Sequence, residues 1–266
     1  MSASPWQTLT QLWRRRRDDA AASRRAIPDA LWRRTLKRFP FLPRGEPAGE
    51  VELRRMTSLF LDRKEFTGVQ GLEITDDIAV AIAAQACLPV LRLGLARYDG
   101  FVGIVVHPGP ALARRQATDD DGVVHEYDEL LAGEAVEGGP VMLSWRDVRA
   151  SGVSAAIGYN VVVHEFAHVL DMADGVADGV PPLPASISRG DWQQTLSAEY
   201  ARFCERVERG EETALDPYGA EAPEEFFAVA SEGFFVAPLP LREEHPQLYT
   251  MLKRFYLQDP AAAAAD

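Results

Sequence analysis

At 266 residues the chain is long enough to bury a sizeable core, and 47% hydrophobic with 26% charged residues excludes a disordered or fibrous protein. Its net charge of −12 is uneven: residues 1–55 carry a surplus of +7 and the remainder −19, an acidic body that excludes nucleic acid as the main ligand. Two cysteines, Cys87 and Cys204, are too few for a disulfide framework and point to a reducing, cytoplasmic compartment.

Residues 1–44 read as helical and basic. Trp6, Leu9, Leu12 and Trp13 recur at helix spacing ahead of Arg14–Arg17, and Leu31, Trp32, Leu36 and Phe39 form a second amphipathic turn ended by Pro40. The arginine run reads first as a solvated helix face and second as an arm for an acidic partner. Helices are expected over Val51–Lys64 and Asp76–Leu95. The apolar stretch Ile78–Ala96 is interrupted by Gln85, Pro89 and Arg92, so no membrane span is expected, and no signal peptide is visible.

Three strands follow: Phe101–Val106, Val123–Tyr127 and Val141–Trp145. His107 and His125 read as strand-end or loop histidines with local hydrogen bonds. A short helix is expected within Ser144–Ser154, then an apolar one from Asn160 to Asp171. Asp174–Gly190, rich in Gly, Pro and Asp, reads as a surface loop, and Asp191 as the N-cap of a helix to about Glu208. Pro223 suits the first position of a helix that carries Phe226, Phe227, Phe234 and Phe235. A last helix holds Leu248, Leu252 and Phe255. The chain thus divides into a basic helical region over 1–75, a main domain over 76–260 and a disordered tail over 261–266.

The Asn160–Asp171 helix carries the chemistry. It is apolar on nearly every side, yet Asn160, His164, His168 and Asp171 fall in one stripe about 80° wide, with Glu165 beside it. Burying such groups is costly unless something pairs with them. The run His164-Glu165-Phe166-Ala167-His168 sets two imidazoles one turn apart with a glutamate adjacent, the arrangement of zinc peptidases. Zinc, one ion per chain, is the expected cofactor. Core histidines bonded to Asn160 and Asp171 are the bland alternative.

A catalytic zinc needs a third protein ligand. Asp174 would sit at metzincin spacing, but that geometry needs a left-handed turn at the position of Asp171, which aspartate tolerates less well than glycine. A glutamate on a later helix, as in gluzincins, is the other candidate. Glu225, Ala228, Val229 and Glu232 share one helix face, and their small neighbours let the helix lie close to the metal helix. Glu224 points about 100° away from Glu225 and suits the helix dipole instead. Glu225 is the expected ligand.

The segments HEFAHVLD at 164–171, LDPYGAEAPEEFFAVASEGFF at 215–235 and RFYLQDP at 254–260 resemble the Mlc titration factor A family of bacterial zinc peptidases. The likeness covers about residues 50–260, and a more distant one reaches the protease domain of anthrax lethal factor. The resemblance implies an α+β, mostly helical fold: a zincin-like, gluzincin-type metallopeptidase domain with a small mixed sheet and a helical N-terminal part. It also implies that Glu225 is the third ligand and that Tyr218 assists the transition state; otherwise Tyr218 reads as an ordinary turn tyrosine.

The expected function is peptide-bond hydrolysis, with Glu165 moving the proton of a zinc-activated water and a peptide or protein as substrate. Asp171 or Asn160 would orient a histidine, and Val141–Trp145 would pair with extended substrate. The resemblance adds a further partner, a transcriptional repressor of sugar-uptake genes. A non-catalytic regulator that sequesters such a repressor is the alternative reading.

Overall fold

The computed structural model describes residues 17–43, 47–118 and 124–264, with the backbone alone for 47, 112–118 and 124–130. The arm from Trp6 to Arg16 and the turn at 119–122 lie outside these. Helix α1 covers 17–24, α2 Asp29–Arg38 and α3 Pro47–Arg63. Strand β1, Glu65–Gly68, leads to α4, Asp76–Cys87. The Thr75 hydroxyl caps α4 by accepting from Ile78 N–H, and Asp76 and Asp77 suit its positive end. It stops short of the expected Leu95 because Pro89 has no amide to extend the ladder. A 3-10 turn, Leu95–Tyr98, follows.

The sheet is mixed and small. β2, Gly103–His107, pairs in parallel with β1 and with β6, Val141–Ser144, and β5, Gly133–Ala135, closes the edge antiparallel to β6, giving the order β1-β2-β6-β5. β3, Ala111–Thr118, and β4, Val124–Leu131, form a separate antiparallel hairpin. Three strands go beyond the sequence reading. β1 and β5 are short, β5 is also weak in β-propensity, and β3 carries two arginines. Pairing partners, not composition, make them strands. The strand expected to take substrate, β6, has neighbours on both sides; among the described residues the open edges of this sheet are β1 and β5, and β5 is the one packed on α6.

From β6 the chain turns into α5, Trp145–Ser154, capped by Ser144, and then α6, Val161–Asp171. The Asn160 side chain accepts from Val163 N–H and fixes where α6 begins. The loop after α6 is anchored at two points, Val180 and Ile187, which are buried. Helix α7 runs Arg189–Glu208, and Ser188 rather than Asp191 is its cap, accepting from Asp191 N–H. A 3-10 turn, Pro217–Ala220, precedes α8, Pro223–Val236, which begins on proline as expected. α9, Pro238–Glu244, and α10, Pro246–Tyr256, complete the bundle. The tail, expected without structure, supplies the short α11, Pro260–Ala263, where Ala261 is buried and its N–H donates to Tyr249 Oη.

Aromatic side chains lock α6 and α8 in place. The Phe166 ring lies 4.9 Å from Tyr98, 5.7 Å from Phe60 and 5.8 Å from Phe101. On α8, Phe226 packs on Tyr200 and Phe203 of α7, Phe227 on Trp192, and Phe235 on Tyr256 of α10. Each buried ring stabilises the fold by about 1.5–3 kcal/mol, so the two helices are held from behind. No single helix among the described residues is long and apolar enough to cross a membrane.

Candidate metal centre

The polar stripe of α6 faces the first three turns of α8. His164 Nε2 lies 3.1 Å from His168 Nε2 and 3.1 Å from Glu225 Oε2, and His168 Nε2 lies 3.3 Å from that same oxygen. Three ligand atoms from two helices thus form a nearly equilateral triangle, the one group of its kind among the described residues. Ligands about 2.0–2.1 Å from a tetrahedral ion stand about 3.3 Å from each other, so the triangle has the size of one face of such a site.

The protonation pattern fits as well. Glu232 Oε1 accepts from His164 Nδ1–H at 2.8 Å, so Nε2 is the nitrogen turned into the triangle. There it donates to Glu225 as imidazolium and would offer its lone pair to a metal once that proton is released. Glu232 is itself held by Asn160 N–H. Burial alone would raise the Glu225 pKa, but hydrogen bonds to His164 and His168 hold it at about 2, so it is a carboxylate. Burial disfavours the imidazolium of His164, while bonds to Glu225 and Glu232 outweigh this and favour holding positive charge there. No arginine or lysine pairs with Glu165, Glu225 or Glu232 among the described residues. Two imidazoles and a carboxylate that crowd around one point without a cationic side chain suit a divalent cation.

Glu165 sits next to this triangle, almost fully buried, beneath the edge strand. A Cβ placed on Gly133 of β5 would come within 2.6 Å of Glu165 Cγ and 2.7 Å of its carboxyl carbon. Only glycine permits that approach. Burial, countered by the two histidines and reinforced by Glu225 and Glu232, takes the Glu165 pKa to about 7. Tyr218, 39% exposed, stands at the mouth with its ring 6.0 Å from that of His164. Its backbone N–H is held by Asp216 Oδ1.

The remaining candidates separate cleanly. Asp174 is exposed and pairs with Arg189, and Glu224 is outside the triangle. Asp171 was expected to orient a histidine but accepts from Gly179 N–H at 2.8 Å, its other oxygen buried and unpartnered. Gly179, at φ 74°, is wedged against Pro223 O and Leu196, so Asp171 ties the loop after α6 to the start of α8. Asn160 acts through Glu232, and its side chain bonds Val163 N–H and Gln85. Glu232 was legible only as a residue sharing a face with Glu225; the role it plays needed the α6–α8 packing. His107 ends β2 with Nδ1 buried and unpartnered, without the local bond expected of it, and the side chain of His125 lies outside the described residues.

A profile of the glucose-regulated metallo-peptidase M90 family matches residues 10–257. The chain belongs to the M90 family of metallo-peptidases. It is similar to Mlc titration factor A of Pectobacterium atrosepticum, 37% identical over 227 residues, covering 83% of this chain and 84% of that one. Mlc titration factor A of Klebsiella pneumoniae strain 342 is 37% identical over 232 residues, 86% of each chain. An uncharacterized protein of Synechocystis is 39% identical over 225 residues, 84% of this chain and 82% of its own. The mostly helical architecture with its small mixed sheet is, in this family, zincin-like, and His164, His168 and Glu225 are its candidate metal site.

Proposed function

We propose that this M90 chain is a zinc-dependent peptidase in which His164, His168 and Glu225 hold the ion and Glu165 moves the proton. The single observation that carries the reading is the ligand triangle between α6 and α8 with a buried glutamate beside it. Zinc supplies Lewis acidity there, polarising a carbonyl and bringing the pKa of water to near 7. Glu165, with a pKa of about 7, is poised to take a proton from the attacking water and return it to the leaving amine. Glu232 fixes the His164 ring, and Asn160 fixes Glu232. Tyr218 donates a hydrogen bond to the developing oxyanion, an effect worth about 3–4 kcal/mol for a well-aimed donor. An extended peptide pairs with the open edge of β5, which replaces β6 as the docking strand.

Every residue of this machinery falls within 76–260, which we assign as the catalytic unit; β1 and the helices of 1–75 buttress it. The two unpaired cysteines support a cytoplasmic location. The test is Glu165→Gln, which keeps shape and removes the base. It should retain about one zinc per chain while peptide turnover falls by about 10²–10⁴. Unchanged turnover would exclude the mechanism.

A second reading, sequestration of a transcriptional repressor without turnover, is favoured by the relatives named Mlc titration factor A. The same variant separates the two: with repressor binding equal in both chains, turnover that is lost in Glu165→Gln supports the peptidase, whereas a native chain that binds repressor but turns over no peptide supports sequestration.

A further inference from the structure

Gly133 has the Glu165 carboxylate on one side and a cavity of about 280 Å³ on the other. The register of the edge explains this. Gly133 and Ala135 of β5 face α6, whereas Glu134, paired with Met142, faces the opposite side of the sheet, where the cavity lies. Its walls come from Leu131 at the base of the hairpin, Ala132 and Met142, with Glu134, Ser144 and His107 as its polar margin. At that volume it falls just below the roughly 300–1,000 Å³ of pockets that enclose a whole small ligand. It is sized for one side chain.

We propose that this cavity is a specificity pocket that takes a large apolar side chain of the substrate, at the residue that pairs with Glu134. A strand added to an open edge places directly opposed side chains on the same face. Substrate side chains opposite Gly133 and Ala135 therefore point toward the metal helix, and the one opposite Glu134 points to the cavity mouth. Beyond Glu134 at the mouth, which would repel an anion, a charged side chain would surrender its hydration mostly to Leu131, Ala132 and Met142. The inference rests on the peptidase reading and adds to it the substrate class: extended peptides with leucine, methionine or phenylalanine at that position.

The experiment uses the zinc-loaded full chain and peptides that differ at one residue, Ala, Leu, Phe or Lys. The native chain should prefer Leu or Phe over Ala by about 10–200-fold in kcat/KM. Ala132→Phe, which fills the cavity, should collapse that ratio, and Met142→Ala should move the preference from Leu toward Phe. Binding of the same peptides to Glu165→Gln gives a readout free of turnover. Cleavage whose Leu/Ala and Phe/Ala ratios are unchanged in both variants overturns the pocket and leaves the peptidase intact. Side-chain-selective binding that Ala132→Phe abolishes, without any cleavage by the native chain, keeps the pocket and overturns the peptidase. Should Ala132→Phe fail to fold, the shift in Met142→Ala decides alone, and preference for Lys in the native chain refutes the proposal.

Discussion

Among the described residues there are two buried clusters of histidine and glutamate, and they are built to opposite ends. Behind α8, His245 meets Glu199 Oε2 through Nδ1 at 2.9 Å and lies 3.2 Å from Glu244 through Nε2. Arg202 bonds Glu199, and Arg206 bonds Glu244 at 2.8 Å, so the acids are matched by cationic side chains of the protein itself. Those hydrogen bonds hold the Glu199 pKa down although burial would raise it. At the α6–α8 seam the same residue types converge, yet among the described residues no arginine or lysine pairs with them, and the three ligand atoms surround one point. A histidine–glutamate cluster closed by arginines ties helices together. One left open to a cation is a place for a metal.

The largest effect expected from this contrast is on zinc. Glu225→Ala should weaken zinc by more than the ~100-fold that losing a residue behind a ligand costs, whereas Asp174→Ala and Glu224→Ala should titrate like the native chain. Tight zinc in Glu225→Ala with weak zinc in Asp174→Ala would transfer the third ligand to the loop after α6. The closed cluster should respond in stability instead. Glu199→Ala leaves the buried His245 without its main partner and should cost about 3–5 kcal/mol in denaturant unfolding with zinc content unchanged; loss of zinc without loss of stability would erase the distinction.

Glu232→Gln keeps the shape behind His164 but gives up the charge, so zinc affinity should fall by about 10–100-fold in a competition titration. Affinity equal to native would show that Glu232 only caps the start of α6. The smallest effect concerns Asp171, whose pKa burial raises to about 7, opposed by the Gly179 N–H. A raised folded-state pKa stabilises fully below the unfolded value near 3.9 and is lost as pH climbs through about 7. Asp171→Asn keeps the acceptor for Gly179 and removes the titration. Relative to that variant, the native chain should lose about 1–3 kcal/mol between pH 5 and pH 8, and parallel stability curves would refute it.

Local order in the sequence determined α6 in full. Its N-cap, its apolar surround and the spacing of His164, Glu165 and His168 are all contained in twelve consecutive residues, where helical periodicity is the only geometry needed. The same holds for the proline that opens α8 and for the face shared by Glu225 and Glu232. Edge strand β5 was invisible because three residues of Gly-Glu-Ala carry no pattern; its identity comes from pairing with β6. The change of docking strand from β6 to β5 has the same origin, since an edge is defined by what is not beside it. Only the packing of α8 on α6 decided that Glu232 rather than Asp171 orients His164, and only that of β5 on α6 that Gly133 rests on Glu165. The physical reason is range: spacing along a helix is set by bonds within one turn, whereas partners 68 residues apart meet through the core that buries both helices.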